Sequence, residues 1–136
     1  MIVKDIMHTV TKISSNLSIS KVAEIMDEKS IGSVLIEEDN EVIGIATERD
    51  ILRKVVARGS NPDELKIRRI MTPDIITIDL NEDTVEAGRI MEQNKIRRIV
   101  VTENGKIVGI VTANSIAKNL KYLMARDTSK YVRPEY

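Results

Sequence analysis

The chain of 136 residues has no cysteine, no phenylalanine and no tryptophan, and its single histidine is His8. Without cysteine it forms neither disulfides nor thiolate metal sites, and one histidine gives no basis for expecting a transition-metal site. The three tyrosines all lie in the last fifteen residues, so the rest of the chain offers no aromatic platform for single-stranded nucleic acid. The lack of cysteine fits a reducing compartment. We therefore expect a cytoplasmic protein.

An excess of either charge is also absent, because 21 lysines and arginines balance 21 aspartates and glutamates. Domains that grip a nucleic-acid backbone usually carry a basic excess, so we do not expect nucleic acid as a partner. The longest apolar runs are about six residues, far short of the ~20 that span a bilayer. The opening Met1-Ile2-Val3-Lys4-Asp5 lacks the shape of a signal peptide. We expect no membrane segment.

The residues of common active sites are missing as well. There is no glycine-rich phosphate loop, and no nucleophile stands in a recognisable relation to a base. We therefore predict a protein that is not an enzyme, with no catalytic residue, no bound metal and no required cofactor.

An internal repeat is the strongest positive feature. Gly44-Ile45-Ala46-Thr47-Glu48-Arg49-Asp50-Ile51 returns 65 residues later as Gly109-Ile110-Val111-Thr112-Ala113-Asn114-Ser115-Ile116. Ile25-Met26 meets Ile90-Met91 at the same offset, whereas the openers Asp5-Ile6-Met7 and Arg69-Ile70-Met71 are 64 apart. Such self-similarity predicts two copies of one supersecondary unit of roughly sixty residues.

Each copy predicts a strand, a helix, two hairpin strands and a second helix. In the first copy Ser18 caps a helix that ends at Gly32, and the helix Thr47–Arg58 stops at Gly59. In the second copy Asp83 and Glu86 cap the helix, Asn104-Gly105 forms the hairpin turn, and a helix from Ser115 to about Arg126 closes the unit. The predicted boundaries are a first repeat over 1–59, a linker over 60–69, a second repeat over 70–126 and a loose tail over 127–136.

One copy has a single apolar sheet face and is too small to bury a good core alone. Two copies packed together solve this problem and leave clefts at their junction, where ligands commonly bind.

The repeated elements resemble the cystathionine-β-synthase (CBS) domain pair, or Bateman module, from about Val3 to Met124. The resemblance rests on the two openers, on Ile-Met at both helix ends, on Gly-Ile-x-Thr at both strand ends, and on Thr47-x-x-Asp50. It implies an α+β fold in which two βαββα units pack sheet to sheet around a pseudo-two-fold axis. It also implies a regulatory module that binds AMP, ADP, ATP or S-adenosylmethionine in the cleft between repeats.

The resemblance assigns roles to individual residues. A threonine at the position of Thr47 touches phosphate or ribose, and an aspartate at the position of Asp50 accepts from both ribose hydroxyls. Thr112 and Ser115 hold these positions in the second copy, where Ser115 departs from the family pattern. The γ subunit of AMP-activated kinase uses a His-Arg pair on phosphate, and Arg97-Arg98 hold the matching positions here.

Several of these residues have a second interpretation from the sequence alone. Thr47-x-x-Asp50 is also the pattern of a capping box, in which the two side chains bond to backbone N–H groups at the helix start. Lys12 lies near the same cleft but reads equally as a surface lysine. Ile13 and Ile45 are candidates for the wall of an adenine pocket, and both also fit simple core packing.

Two functions remain open from the sequence. The first is a stand-alone module that senses an adenosine-containing ligand, with a regulated protein that the sequence does not identify. The second is a scaffold for protein or nucleic acid whose clefts no longer bind. In either case the amphipathic helices Thr47–Arg58 and Ser115–Arg126 have apolar faces that must be buried. We therefore predict a homodimer that forms through the faces of these two helices.

Overall fold

The structure is a computed structural model, and it describes residues 1–120. The chain divides into two compact units. The central unit is the continuous stretch Val10–Ile75, and the split unit combines Met1–Thr9 with the residues from 76 onward. Each unit contains the predicted order strand, helix, strand, strand, helix, which confirms the tandem βαββα fold. The last six residues of the predicted helix Ser115–Arg126, and the tail Asp127–Tyr136, lie outside the described residues.

The central unit has a three-stranded sheet covered by helices. Its elements are β1 (Lys12–Ser14), α1 (Ile19–Lys29), β2 (Ser33–Glu38), β3 (Glu41–Thr47) and α2 (Glu48–Ile51), which continues as a π-helical turn, Leu52–Val56. The sheet order is β1-β2-β3, with β1 parallel and β3 antiparallel to β2. The core consists of buried side chains from the sheet, from α1, from Val55 of the π-helical turn and from the turn Ile67–Arg69.

The split unit follows the same plan. Its elements are β4 (Thr77–Asp79), α3 (Thr84–Asn94), β5 (Arg98–Glu103), β6 (Lys106–Thr112) and a final helix, α4, described over 113–120. The sheet order is β4-β5-β6 with the same strand directions. Its core combines these elements with Val3 and Ile6 from the first residues of the chain. Within residues 1–120, no helix is both long and apolar enough to cross a bilayer.

The helix starts follow the sequence signals more closely than the helix ends. Ser18 caps α1 by accepting a hydrogen bond from the Lys21 N–H at 3.1 Å. Asp83 caps α3 through the Val85 N–H at 2.7 Å, whereas Glu86, the other half of the predicted cap, pairs with Arg89 instead. The predicted stop at Gly32 is wrong: α1 ends at Lys29, and Ser30 takes the left-handed conformation with φ 53°.

Both hairpins use the same kind of turn. Asp39 and Asn40 have φ values of 52° and 63°, and Asn104 and Gly105 have 51° and 80°. Two successive residues with positive φ match the type I′ turn, whose twist suits the flanking strands. Each hairpin also has a register shift, between Ile36 and Glu37 in β2 and between Val101 and Thr102 in β5. The hairpin prediction is confirmed.

The segment at the start of each repeat forms hydrogen bonds with the last strand of the other repeat, and we call these segments the openers. His8, near the start of the first repeat, exchanges two backbone hydrogen bonds of 2.8 and 2.9 Å with Ile110 of β6. Thr72, at the start of the second repeat, does the same with Ile45 of β3, at 2.8 and 2.9 Å. The compact units in space are therefore offset from the repeats in sequence. The boundaries at 59, 69 and 126 describe sequence similarity and stay a prediction.

Each opener packs directly against the backbone of a glycine. A Cβ placed on Gly44 would lie 2.7 Å from the Met71 Sδ and 2.9 Å from the Thr72 carbonyl oxygen. A Cβ on Gly109 would meet Met7 and the His8 carbonyl at 2.8 and 2.9 Å. Only glycine admits this close approach. Met71 and Met7 are partly buried and pack against the cores of the central and the split unit, respectively.

Candidate functional site

The start of α2 carries the residue pair that the sequence singled out. Thr47 ends β3 and is the N-cap of α2. The Thr47 N–H donates to the Asp50 Oδ2 at 3.0 Å, and the Asp50 N–H donates to the Thr47 Oγ1 at 3.1 Å. Both bonds of a capping box are therefore formed, so the capping interpretation describes this helix start.

Asp50 keeps acceptor capacity beyond the cap. Its other oxygen, Oδ1, lies 3.3 Å from the Lys54 Nζ, and its side chain is 17% exposed. Lys54 also donates to the Ile70 carbonyl at 3.0 Å, so the ammonium is held from two sides. A carboxylate offers about four lone-pair sites, and two of them are occupied here. Asp50 is thus a partly exposed carboxylate with a fixed orientation and unused acceptor sites.

The strand register sorts the other candidates of the central unit by sheet face. Lys12 pairs with Leu35, and Leu35 pairs with Ile45. Directly paired residues lie on the same face of a sheet, and alternate residues of a strand share a face. Lys12, Ile45 and Thr47 therefore lie together on the face opposite the helices. Lys12 is exposed there, and Ile45 and Thr47 are half-buried.

Ile13 is placed differently from these residues. It pairs with Ile36 on the core face and is 7% exposed within the hydrophobic cluster of the central unit. The structure therefore does not bring Ile13 together with Lys12, Ile45 and Thr47.

The start of α4 is the counterpart of this arrangement in the split unit. The Thr112 N–H donates to the Ser115 Oγ at 3.0 Å, and the Ser115 N–H donates to the Thr112 Oγ1 at 3.0 Å. The Ser115 hydroxyl lies 2.8 Å from the Thr112 carbonyl oxygen, to which it donates. Ser115 is 6% exposed. Ser115 therefore forms the same cap as Asp50, and its hydroxyl proton is already donated to the Thr112 carbonyl.

The two arginines lie in the split unit and differ from each other. Arg98 is the first residue of β5 and pairs across the strands with Thr112, so it shares a face with the second helix start. Arg98 is half-buried and Arg97 is exposed. The Arg97 carbonyl accepts from the Ala113 N–H at 2.8 Å. The matching position opposite Thr47 is Ser33, so the central unit lacks this base.

A groove on the helical side of the central unit was not anticipated from the sequence. It has a volume of about 390 Å³ and lies between α1 and α2. Its apolar side chains are Ala23, Met26, Ile31 and Ile51, and two of its polar residues are Asp27 and Glu48. The helical spacing of Ala23 and Met26 is the sequence signal for an apolar side of α1 at this place. Within residues 1–120, no cluster of three or more metal-binding side chains occurs.

The comparison with protein families agrees with the geometry. Two βαββα units with a threonine at each strand-to-helix junction define a tandem repeat module. The family model for the CBS domain matches twice, over residues 3–57 and 67–122. The chain belongs to the CBS domain family, which confirms the resemblance found in the sequence.

Relatives occur in archaea and bacteria. An uncharacterized protein of Methanopyrus kandleri is 45% identical over 107 residues, which are 77% of this chain and 55% of that protein. Hypoxic response protein 1 of Mycobacterium tuberculosis is 32% identical, over 86% of this chain and 83% of its own. This chain thus spans little more than half of the Methanopyrus relative, and 59% of an uncharacterized relative from Methanocaldococcus jannaschii.

Solved structures show the same fold. An uncharacterized conserved protein from Pyrococcus horikoshii has a TM-score of 0.81 at 31% identity, over 87% of this chain and 90% of that one. A hexameric CBS-CP12 protein from bloom-forming cyanobacteria has a TM-score of 0.81 at 26% identity, over 86% and 66%. Hypoxic Response Protein I, solved with two coordinated zinc ions, has a TM-score of 0.71 at 30% identity, over 87% and 98%.

Proposed function

We propose that this protein is a regulatory module that binds an adenosine-containing ligand through Thr47 and Asp50. The observation that carries the proposal is the position of Asp50, a partly exposed carboxylate held at the start of α2 with acceptor sites to spare. Lys12 and Ile45 lie on the same sheet face as Thr47, where they supply a cation and an apolar surface.

The chemistry of the carboxylate fits one part of such a ligand. Two acceptor oxygens in one plane match the two hydroxyl groups of a ribose, as acidic residues do in dinucleotide sites. The capping bond from the Thr47 N–H fixes the carboxylate before ligand arrives, which lowers the entropic cost of binding. AMP, ADP, ATP and S-adenosylmethionine all contain this ribose, so each is a candidate.

A thermal-shift screen with these four compounds and NAD tests the proposal. A ligand at one hundred times its dissociation constant stabilises the folded protein by about 2.7 kcal/mol. We expect at least one of the five to raise the melting temperature of the parent protein. Asp50→Asn is the matched variant, because an amide oxygen still accepts the Thr47 N–H while the charge is lost. The variant also loses the ion pair with Lys54, so its ligand-induced shift is measured against its own melting temperature without ligand, and we expect that shift to be lost.

One observation favours a second function. Thr47 and Asp50 satisfy each other's backbone groups, so the helix start is complete without a ligand. A scaffold that binds a protein or nucleic acid, with helix starts that serve only as caps, is consistent with this. A screen in which none of the five compounds changes the melting temperature would support the scaffold and overturn the sensor.

We also propose that the protein is a homodimer. Leu52 and Val56 are 59% and 63% exposed on the π-helical turn that follows α2, and Leu120 is 51% exposed on α4. Large apolar side chains gathered on helices mark association surfaces. Light scattering at micromolar concentration should give twice the monomer mass. Val56→Lys should reduce the mass, whereas Val108→Lys, at a 37% exposed valine on strand β6, should not; a monomer mass for the parent protein would contradict the proposal.

A further inference from the structure

The tip of the β5–β6 hairpin is the only place in the chain where a glycine follows an asparagine. Asn104 and Gly105 are both exposed, and both have positive φ. The carboxamide carbon of an asparagine can be attacked by the backbone nitrogen of the next residue. A following glycine leaves that nitrogen unshielded, because glycine has no side chain. Asn104 is therefore the asparagine of this chain whose neighbouring nitrogen has the least steric protection.

The Gly105 nitrogen is also unrestrained by the fold. Within residues 1–120, the Gly105 N–H donates to no backbone carbonyl. A Cβ placed on Gly105 would meet no heavy atom within 4 Å, so the space around this residue is open. The peptide unit between Asn104 and Gly105 can therefore rotate and bring its nitrogen to the Asn104 side chain without breaking a backbone hydrogen bond.

Other asparagines precede a nitrogen that the fold holds in place. Asn114 precedes Ser115, another small residue, but the Ser115 N–H donates to the Thr112 Oγ1 at 3.0 Å at the start of α4. The residues that follow three further asparagines donate their N–H groups to backbone carbonyls, and they are Leu17, Glu82 and Lys95. A nitrogen fixed by such a bond cannot turn toward the preceding side chain.

The matching hairpin of the central unit provides an internal comparison. Asn40 lies at the tip of the β2–β3 hairpin with a φ of 63°, in a turn of the same kind. It is followed by Glu41, whose side chain shields the backbone nitrogen. The two units therefore share a turn geometry and differ in the residue that follows the asparagine.

We infer that Asn104 is a site of spontaneous deamidation in the folded protein, and that the reaction opens the β5–β6 hairpin. The Gly105 nitrogen loses its proton and forms a bond with the Asn104 Cγ. The bond between Cγ and Nδ2 breaks, and the side-chain nitrogen takes up a proton and leaves as ammonia. Water then opens the succinimide ring at either carbonyl, which gives aspartate or isoaspartate. No electrons are transferred, and water is the only co-reactant.

The isoaspartate product does not fit the hairpin. Its main chain runs through Cβ and Cγ, so the backbone of the turn becomes longer by one atom. The turn joins β5 and β6 at Glu103 and Lys106, and its twist depends on two successive residues with positive φ. We expect the pairs next to the turn, including Thr102 with Ile107, to open. The far end of the hairpin, at Thr112, should stay paired.

Mass spectrometry of the full chain tests the reaction. The folded protein is incubated for weeks in mildly alkaline phosphate buffer and then digested with trypsin, and a sample digested before incubation corrects for reaction during digestion. The tryptic peptide 99–106 contains Asn104 as its only asparagine, and the peptide 30–49 contains only Asn40. We expect the mass change from amide to acid in most of peptide 99–106, with aspartate and isoaspartate separated by chromatography, and little change in peptide 30–49.

A chain unfolded in guanidinium chloride and incubated in parallel is the reference for the intrinsic reactivity. Deamidation of Asn104 in the unfolded chain alone would show that the folded turn protects it, and the inference would be wrong. Equal conversion of the two peptides in the folded protein would also contradict it, because the glycine would then have no influence.

Hydrogen exchange tests the effect on the hairpin. Asn104→Gly is the matched variant, because Gly-Gly also supports a type I′ turn and has no side-chain amide to react. Freshly purified Asn104→Asp adds the charge without lengthening the backbone. Amides of residues 102–107 should exchange faster in the incubated parent protein than in the incubated Asn104→Gly or the fresh Asn104→Asp. Unchanged exchange in a deamidated parent, or equally fast exchange in fresh Asn104→Asp, would refute opening by the longer backbone.

Discussion

The starts of α2 and α4 make the same backbone cap with different side chains. Asp50 and Ser115 each accept from the N–H three residues earlier, at 3.0 Å in both units. Ser115 is buried and uses its hydroxyl on the Thr112 carbonyl, whereas Asp50 has acceptor sites left over. A cap therefore needs only the smaller, neutral residue. The carboxylate of Asp50 exceeds what capping requires, and that excess makes this helix start the better candidate for a ligand.

The basic residues show the reverse distribution. Arg98 faces Thr112 across β5 and β6, and the matching residue beside Thr47 is Ser33. The central unit thus has a carboxylate, Asp50, bonded to its threonine, and the split unit has a base, Arg98, paired across the strands with its own threonine. The two copies of the repeat have diverged at these positions while keeping one backbone.

The largest effect is expected at the glycines, where the two units are alike. Gly44→Ala places a Cβ 2.9 Å from a backbone carbonyl that cannot rotate away, so we expect a loss of about 3 kcal/mol of unfolding free energy. Gly109→Ala should cost about as much. Urea denaturation measures both. Gly88→Ala is the control, because the site is open and alanine favours a helix by about 1 kcal/mol. A small loss of unfolding free energy for Gly44→Ala, beside a large one for Gly109→Ala, would show that the two units are not equivalent here.

Ligand affinity should differ between the two units. A hydrogen bond to a charged group contributes about 1.5–3 kcal/mol and a neutral one about 0.5–1.5 kcal/mol. We therefore expect one tight site per chain by calorimetry, lost in Asp50→Ala and nearly unchanged in Ser115→Ala. Ser115→Asp, which gives the split unit its own carboxylate, should strengthen a second site. Two equivalent sites in the parent protein would refute this assignment.

A smaller effect is expected from the arginines. If Arg97 contacts phosphate, Arg97→Ala should weaken AMP about tenfold and leave adenosine nearly unchanged, and the affinity for AMP should fall as salt rises. Arg53→Ala removes an exposed arginine that is not a candidate and serves as the control. Equal losses for AMP and adenosine would remove Arg97 from the phosphate.

The smallest effect concerns the exposed ion pairs of α1 and α3. The hydrogen bond and the charge of Arg89 hold the pKa of Glu86 below its ordinary value. A lowered pKa stabilises the fold above the pKa of the unfolded chain, and this contribution is lost as pH falls through the folded value. Arg89→Met should return the pKa of Glu86 to its ordinary range by NMR titration. Lys21→Met, at the pair Lys21–Glu24 of α1, should leave it unchanged.

The fold could be predicted from the sequence because each helix and strand occurs in both repeats, so two segments support each assignment. Ser18 and Asp83 at helix starts, and Asn104-Gly105 at a hairpin, are local signals that the structure follows. The left-handed residues Ser30 and Lys95 were missed, because neither side chain favours that conformation and the helix ends are decided by packing. The exchange of openers was also missed, since a repeat shows which segments are alike but not which strand each one pairs with.

The candidate site was only partly predictable, for a reason specific to Thr47 and Asp50. A capping box and a ribose contact require the same residues at the same spacing, so spacing does not separate them. The structure adds the distances, the partial exposure of Asp50 and the ion pair with Lys54. Ile13 could not be placed from the sequence for a different reason. Its position on the core face depends on the register of β1, and three residues are too few for the alternation of apolar and polar side chains to define that register.

The exchange of openers also determines the order in which a nascent chain becomes able to fold. Ribosomes add about 5–20 residues per second. Thr72 emerges 27 residues after its partner Ile45, but His8 waits for Ile110, which is 102 residues further along. The central unit can therefore close while His8 is still unpaired for several seconds. During that interval His8 and Met7 lack the partners that Ile110 and Gly109 of β6 provide in the folded chain.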